Sequence, residues 1–289
     1  MKYLIALLIL FTSCNSINKQ HSHPAVKNGD VSINYTIKGE ADTVIVFVHG
    51  WAINKTYWQS QQDLLSSRFT TVAIDLGGHG TSAHKRNSWT MYNYADDVIA
   101  VINTLKLDKV ILVGHSMSGD VVTAVADSIP GKIIGLIGVD NFKGTIDAYS
   151  KEDLEQYNAF FAAMHANYNS AVTRFGYATL FPPRYTDSAI MKKVISDILA
   201  TDTSISIKTM EAIMQSELTT KERLSKLTIP VHVITSEYAP TNKTQMNAVC
   251  KAGFKEKIIT GVGHYPMVEQ PNEFNRLLME TINDISKEH

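Results

Sequence analysis

The residues that invite a chemical interpretation stand in the middle of the chain. Residues 114–119 read GHSMSG, with the apolar run Val110–Val113 before them and the helix-like stretch DVVTAVADSI after them. A serine at a sharp turn between a buried strand and a helix is typical of an exposed nucleophile, for which the usual pattern is G-x-S-x-G. Here Ser118 takes the last position, and the glycine follows one residue later. Because serine is small, we interpret this as a tolerated departure and predict that Ser116 is a nucleophile.

A strand and a helix must position this serine, and the surrounding sequence alternates between the two. The dipeptide Asn28-Gly29 predicts a tight hairpin near the start. Continuous apolar runs that are typical of strands buried on both faces follow at 43–50, 70–75, 109–114 and 132–140. Helical patterns lie between these runs. The alternation predicts an α/β fold with a doubly wound, mostly parallel sheet.

The alternation stops over residues 143–224, which have helical patterns and no convincing buried strand, and it resumes at 229–235. A helical insertion after the sixth strand of such a sheet is a candidate lid over the site. Its aromatic and apolar side chains either line a substrate pocket or form the lid's own core. These side chains are Phe160, Phe161, Met164, Tyr168, Phe175, Tyr177 and Phe181.

The N-terminus has the layout of an export signal. Lys2 precedes the apolar run Tyr3–Phe11, which is too short to span a bilayer, and two small residues stand directly before Cys14. This segment resembles a bacterial lipoprotein signal, which implies cleavage before Cys14 and lipidation of that residue; the alternative is an ordinary signal peptide with an incidental cysteine. We therefore expect an exported protein that is lipid-anchored to a bacterial cell-envelope membrane. The predicted segments are a signal peptide at 1–13, a tether at 14–24, a core at 25–142 and 225–289, and a helical cap at 143–224.

The composition limits the classes of partner. Hydrophobic residues make up 44% of the 289 residues and charged residues 19%, which is enough apolar material for a sizeable core. The 27 basic and 28 acidic residues give a net charge of −1. Nucleic-acid binding needs a basic surface, so this balance argues against a nucleic-acid partner. The sequence contains neither a dinucleotide-binding nor a P-loop motif, and we expect no cofactor and no metal.

Four motifs in a fixed order resemble the α/β-hydrolase family over nearly all of residues 25–287. They are HGW at 49–51, DLGGHGTS at 75–82, GHSMSG at 114–119 and GVGHYPMVEQP at 261–271. The resemblance implies that Ser116 is the nucleophile and that His264 is the general base that takes its proton. It also implies an oxyanion hole formed by the backbone N–H groups of Trp51 and Met117.

Two carboxylates are candidates for the third member of the triad, which orients the histidine. In most relatives an aspartate follows the seventh strand, but Ala239 stands at the corresponding position here, and Glu237 is the only carboxylate nearby. Some relatives carry the acid after the sixth strand instead, where this chain has Asp140. We favour Asp140 and keep Glu237 as the alternative; a third possibility is that neither residue has this role.

A serine nucleophile favours acyl transfer to water, because relatives that open epoxides or displace halide use an aspartate at the position of Ser116. We therefore expect a serine hydrolase that cleaves a small or medium carboxylic ester through an acyl-enzyme intermediate. Its expected partner is thus a small-molecule substrate. The same residues also allow hydrolysis of lactones, amides or C–C bonds, or perhydrolysis. The absence of a carboxylate at Ala239 supports a further alternative, a catalytically inactive binding protein on the same fold.

Overall fold

The structure is a computed structural model, and it describes residues 24–181 and 187–287. The predicted signal peptide at 1–13, the lipidation site Cys14 and all of the 14–24 tether except Pro24 lie outside the described residues, so these remain predictions. None of the described helices combines the length and the apolar character that a membrane-spanning helix needs.

One eight-stranded sheet forms the centre of the molecule, in the order β1-β2-β4-β3-β5-β6-β7-β8. β1 and β2 pair antiparallel as the predicted hairpin, and β2 joins β4 antiparallel. All pairs formed among β3 to β8 are parallel. The doubly wound, mostly parallel sheet is therefore confirmed. The strands are β1 (Ala25–Asn28), β2 (Val31–Lys38), β3 (Val44–Val48), β4 (Thr70–Ile74), β5 (Val110–His115), β6 (Ile133–Val139), β7 (Val231–Ser236) and β8 (Phe254–Ile259).

Helices cover the sheet, and this cover explains why the central strands read as unbroken apolar runs. Every residue of β3, β4 and β5 is buried, as expected for strands that are packed on both faces. Outside the insertion the helices are α1 (Gln59–Leu65), α2 (Met91–Thr104), α3 (Ser118–Ser128), α8 (Lys243–Val249), α9 (Pro266–Glu269) and α10 (Pro271–Ser286). The register places the carboxyl ends of β5, β6 and β7 side by side, because His115 pairs with Val139 and Val139 with Ile234.

The insertion after β6 is helical, as predicted. It comprises α4 (Lys151–Ala166), α5 (Tyr168–Phe175), a π-helical segment (Gly176–Leu180), α6 (Ser188–Ala200) and α7 (Thr203–Lys226). Its aromatic residues pack mainly on one another and on the core: Phe160 contacts Phe175, and Phe181 is fully buried against Tyr265. The limits of the predicted cap, 143–224, remain a prediction.

Candidate active site

Ser116 lies directly after β5, at the turn into α3. Its φ of +55° is a left-handed conformation that is unusual for a residue with a side chain. The Ser116 N–H donates to the carbonyl of Val139 at 2.9 Å, which fixes the turn against β6. A Cβ at Gly114 would lie 2.3 Å from the backbone oxygen of Ser118, so the turn needs glycine at that position. The sharp bend therefore depends on both the strained serine and the glycine before it.

The hydroxyl of Ser118 has a specific partner. It donates to the carbonyl oxygen of His49 at 2.5 Å, and the side chain is fully buried. This bond joins the turn after β5 to the loop after β3. Ser118 is therefore more than a small residue that the turn tolerates, because a glycine there would leave the His49 carbonyl without this donor.

His264 stands between Ser116 and Asp140. Its Nε2 lies 2.8 Å from Ser116 Oγ, and its Nδ1 lies 2.6 Å from Asp140 Oδ2. The loop that carries His264 is held by Glu269, whose carboxylate accepts the N–H groups of Gly263 and Tyr265 at 2.8 and 2.9 Å. Glu269 was not identified from the sequence, although its place five residues after His264 in the same motif is a signal that was available.

Asp140 follows β6 with a φ of +48° and is only 3% exposed. Its Oδ1 accepts the N–H and the hydroxyl of Ser236, at 2.9 and 2.5 Å, and the hydroxyl of Thr235 at 3.1 Å. Burial by itself would raise the pKa of Asp140, but the hydrogen bond and the charge of His264, together with those of Lys143, outweigh burial and hold the pKa well below its usual value. Asp140 is therefore ionised wherever the protein is folded near neutral pH.

Glu237, the alternative acid, lies elsewhere. Its carboxylate accepts the N–H of Gly261 at 3.0 Å, and no hydrogen bond between Glu237 and His264 is found in the described ranges. Glu237 therefore supports the start of the histidine loop, and of the two candidates it is Asp140 that the structure brings to the imidazole. Ala239 lies four residues beyond the β7 residue Thr235, whose hydroxyl donates to Asp140 at 3.1 Å, so the end of β7 supplies donors to the carboxylate.

The loop after β3 passes close to Ser116. A Cβ at Gly50 would lie 2.5 Å from His115 Nδ1 and 3.2 Å from Ser116 Cβ, so glycine is what allows this approach. The next residue is Trp51, and Met117 is the N-cap of α3. Neither of their N–H groups donates a hydrogen bond to any residue that the structure describes. The Trp51 indole donates to the carbonyl of Ser206 at 2.9 Å, which ties this loop to the insertion.

His115 precedes the nucleophile, but its side chain is directed away from the Ser116 hydroxyl. Its Nε2 lies 2.7 Å from the carbonyl oxygen of His264. Burial, followed by the charge of His264, lowers the pKa of His115 to about 3. The ring is therefore neutral at ordinary pH and acts as a hydrogen-bonded support for the histidine loop.

A cavity of about 560 Å³ opens beside Ser116 and Met117. Its walls come from the turn after β6, from α7 and from the start of α8, and they carry polar and charged side chains within a mainly apolar surface. Glu217 illustrates this: Tyr149 donates to its carboxylate at 2.6 Å, and burial, only partly offset by that bond, raises the pKa of Glu217. Besides Ser116 and Asp140, the polar and charged lining residues are Asp120, Asn141, Lys143, Thr145, Glu217, Thr220, Asn242 and Gln245.

The seven aromatic and apolar residues singled out in the insertion are not among those that line this cavity. Six of them pack in or against the hydrophobic core, and the seventh, Tyr177, is exposed. Within the described ranges, no cluster of three or more histidine, cysteine or acidic side chains is arranged to hold a metal ion.

Comparisons with known proteins agree with this architecture. A family model described as alpha/beta hydrolase fold matches residues 43–176. A solved structure of an esterase from Exiguobacterium antarcticum has a TM-score of 0.79 at 17% identity and covers 91% of this chain and 100% of that one. At this identity the likeness shows the fold alone.

Two similar proteins have different stated roles. The 2-(acetamidomethylene)succinate hydrolase of Mesorhizobium japonicum is 32% identical over 127 residues, which are 44% of this chain and 45% of the hydrolase, so the match spans less than half of that relative. The Karrikin insensitive 2 receptor CA of Petunia hybrida is 22% identical over 268 residues, or 86% of this chain and 95% of the receptor. The chain is thus similar both to a protein named as a hydrolase and to a protein named as a receptor.

Proposed function

We propose that this chain, whose residues 43–176 match the model of the alpha/beta hydrolase fold, is a serine hydrolase that cleaves small or medium carboxylic esters through an acyl-enzyme intermediate. The observation that carries the proposal is the continuous pair of hydrogen bonds from Ser116 through His264 to Asp140, at 2.8 and 2.6 Å. This is the arrangement in which a serine hydroxyl loses its proton as it attacks.

The proposed reaction has two halves. Ser116 Oγ attacks the acyl carbon while its proton moves to His264 Nε2, and the imidazolium that forms is stabilised by the ionised Asp140. The proton then passes to the departing alcohol, which leaves the acyl group on Ser116. A water molecule attacks this ester, again with His264 as the base, and releases the acid and the free serine.

The tetrahedral intermediates of both halves carry a negative oxygen, which needs donors that are already in place. We assign this role to the N–H groups of Trp51 and Met117. Their position beside Ser116 and their lack of acceptors among the described residues support the assignment. The N-terminus of α3 adds a favourable potential at the same point.

The size and polarity of the cavity narrow the proposed substrate. A volume of about 560 Å³ suits a small molecule. The wall combines apolar surface with a few charged and amide side chains, so we expect an ester with an apolar part and with hydrogen-bonding groups. A lactone or an amide would use the same steps. The inactive binding protein loses its main support, because a carboxylate reaches His264 from β6 although Ala239 stands after β7.

The test is turnover of p-nitrophenyl esters with acyl chains of two to eight carbons, together with labelling by a fluorophosphonate probe. We expect the wild-type protein to hydrolyse the short esters and to be labelled. Ser116→Ala should abolish labelling and lower kcat by at least about three orders of magnitude. Ser128→Ala is the matched control, because this exposed serine lies at the other end of the same helix. Equal labelling of the wild-type and Ser116→Ala proteins would refute the assignment.

A further inference from the structure

Lys143 contacts Asp140 from the side opposite to His264. Its Nζ donates to Asp140 Oδ1 at 2.8 Å, and it also contacts the hydroxyl of Thr235 and lies 3.5 Å from the carbonyl oxygen of Ser236. The side chain is 27% exposed, so solvent reaches it only in part. Lys143 therefore links the turn after β6 to the end of β7 through the carboxylate itself.

The two oxygens of Asp140 have separate partners. Oδ1 receives Lys143, Ser236 and Thr235, while Oδ2 lies against His264 Nδ1. Donors on one oxygen fix the rotation of the carboxylate and direct the other oxygen at the imidazole. A neutral donor would suffice for this geometric task, and Ser236 and Thr235 already supply neutral donors. Lys143 adds a positive charge.

The other titratable groups near this pair differ from Lys143 in sign or are neutral. The Tyr238 hydroxyl, 3.5 Å from Asp140 Oδ2, has a pKa raised by burial and by the charge of Asp140, so it stays protonated. Burial also raises the pKa of Tyr265, so its hydroxyl stays protonated and neutral. His115 is neutral because burial lowers its pKa.

Two acidic groups face the histidine loop. The Glu269 and Glu237 carboxylates are bonded to backbone N–H groups of that loop. Apart from His264 itself, Lys143 is the only cation among the described residues that makes an ion pair with Asp140.

We propose that Lys143 is a positioning residue of the proposed triad, and that its charge partly offsets Asp140 and so sets the pH below which His264 becomes protonated and activity is lost. This inference rests on the proposed function. The physical reason is that an imidazolium next to a carboxylate is stabilised less when a cation already shares that carboxylate.

The direction of the effect follows from the role of the imidazole. His264 acts as a base in its neutral form, so the rate falls as the pH drops through its titration. Removal of the Lys143 charge leaves more of the Asp140 charge to stabilise the imidazolium. The acidic limb of the kcat/KM profile should then move to higher pH, by about 0.5 to 1 pH unit for one partly exposed charge.

The experiment compares Lys143→Met, Lys143→Gln and Lys143→Arg with the wild-type protein. We expect the Met and Gln variants to shift the acidic limb upward and the Arg variant to leave it in place. Lys221→Met is the matched control, because it removes a lysine that pairs only with the exposed Asp147. If Lys143→Arg shifts the limb as much as Lys143→Met does, or if no variant shifts it, the proposal is wrong.

A titration of the His264 ring by NMR provides a second readout that needs no substrate. The ring signal is assigned by its loss in His264→Asn. Lys143→Met should raise the titration midpoint by the same amount as it shifts the limb, and an unchanged midpoint would overturn the proposal. Absence of any esterase activity, by contrast, would count against the proposed function, while the NMR result would still decide whether Lys143 controls the imidazole.

Discussion

Two buried aspartates occupy equivalent places in the sheet and have different surroundings. Asp75 follows β4 and is 1% exposed; Asp140 follows β6 and is 3% exposed. Each is paired with a lysine, Asp75 with Lys55 at 2.5 Å and Asp140 with Lys143 at 2.8 Å. For both, burial favours the neutral acid, but nearby charges and hydrogen bonds outweigh burial and lower the pKa. By charge and burial alone, the two sites would be hard to tell apart.

The difference lies in how their oxygens are used. Asp75 Oδ1 accepts the N–H of Lys55, and Oδ2 accepts the Lys55 ammonium group together with the N–H and hydroxyl of Thr81. All these donors fix two neighbouring loops. Asp140 instead concentrates its structural donors on one oxygen and presents the other to His264. The two carboxylates thus differ in that one oxygen of Asp140 is directed at an imidazole, and burial by itself does not distinguish them.

The largest expected effect is the loss of turnover caused by a substitution at Asp140. Asp140→Asn should lower kcat for a short ester by about three to four orders of magnitude, because an amide cannot stabilise the imidazolium and favours the wrong ring tautomer. Glu237→Gln is the control and should change kcat by less than about tenfold, since among the described residues its carboxylate accepts a hydrogen bond from the N–H of Gly261 and none from His264. Steady-state kinetics on folded variants checks both values. A large loss in Glu237→Gln with a small one in Asp140→Asn would reverse the assignment.

Asp75→Asn should instead reduce stability. The substitution leaves the buried Lys55 ammonium without its counter-charge, and we expect a loss of about 3 to 5 kcal/mol in the free energy of unfolding. Turnover per folded molecule should stay within about threefold of the wild-type value. Urea denaturation measures the loss, and Asp108→Asn, in an exposed ion pair with Lys132, should cost less than about 1 kcal/mol. A normal stability of Asp75→Asn together with a large loss of turnover would mean that Asp75, like Asp140, acts in turnover.

Much of the fold could be predicted from the sequence because its signals are local. The run at Val44–Val48 is apolar throughout since both faces of β3 are covered, and Asn28-Gly29 marks the turn between β1 and β2. Ser116 and His264 were predicted as site residues for a similar reason, because glycines around each of them form short, recognisable motifs.

The contacts that support these residues could not be predicted, and the choice between Asp140 and Glu237 stayed open, because both depend on the packing of distant segments. Ser118 bonds a carbonyl that lies 69 residues away, and Thr235 bonds Asp140 across 95 residues. β6 and β7 end side by side, so either strand end was close enough to supply the acid. Only the turn after Val139, with its positive φ at Asp140, directs that side chain toward the imidazole. The wall of the cavity is also formed by segments that are far apart in sequence.

The smallest expected effects follow from removing one hydroxyl group that donates to each aspartate. Ser236→Ala deletes the 2.5 Å bond to Asp140, and Thr81→Val deletes the 2.9 Å bond to Asp75. A hydrogen bond to a charged group contributes about 1.5 to 3 kcal/mol, and the remaining donors reduce that loss, so each variant should be less stable by about 1 to 2 kcal/mol. Only Ser236→Ala should also lower kcat, by about three- to tenfold, because it loosens the carboxylate that faces His264. The contrary result would be that Thr81→Val lowers kcat as much as Ser236→Ala at equal stability. In that case the donors to Asp140 matter no more for turnover than the donors to Asp75, and the proposed difference between the two aspartates is wrong at this level.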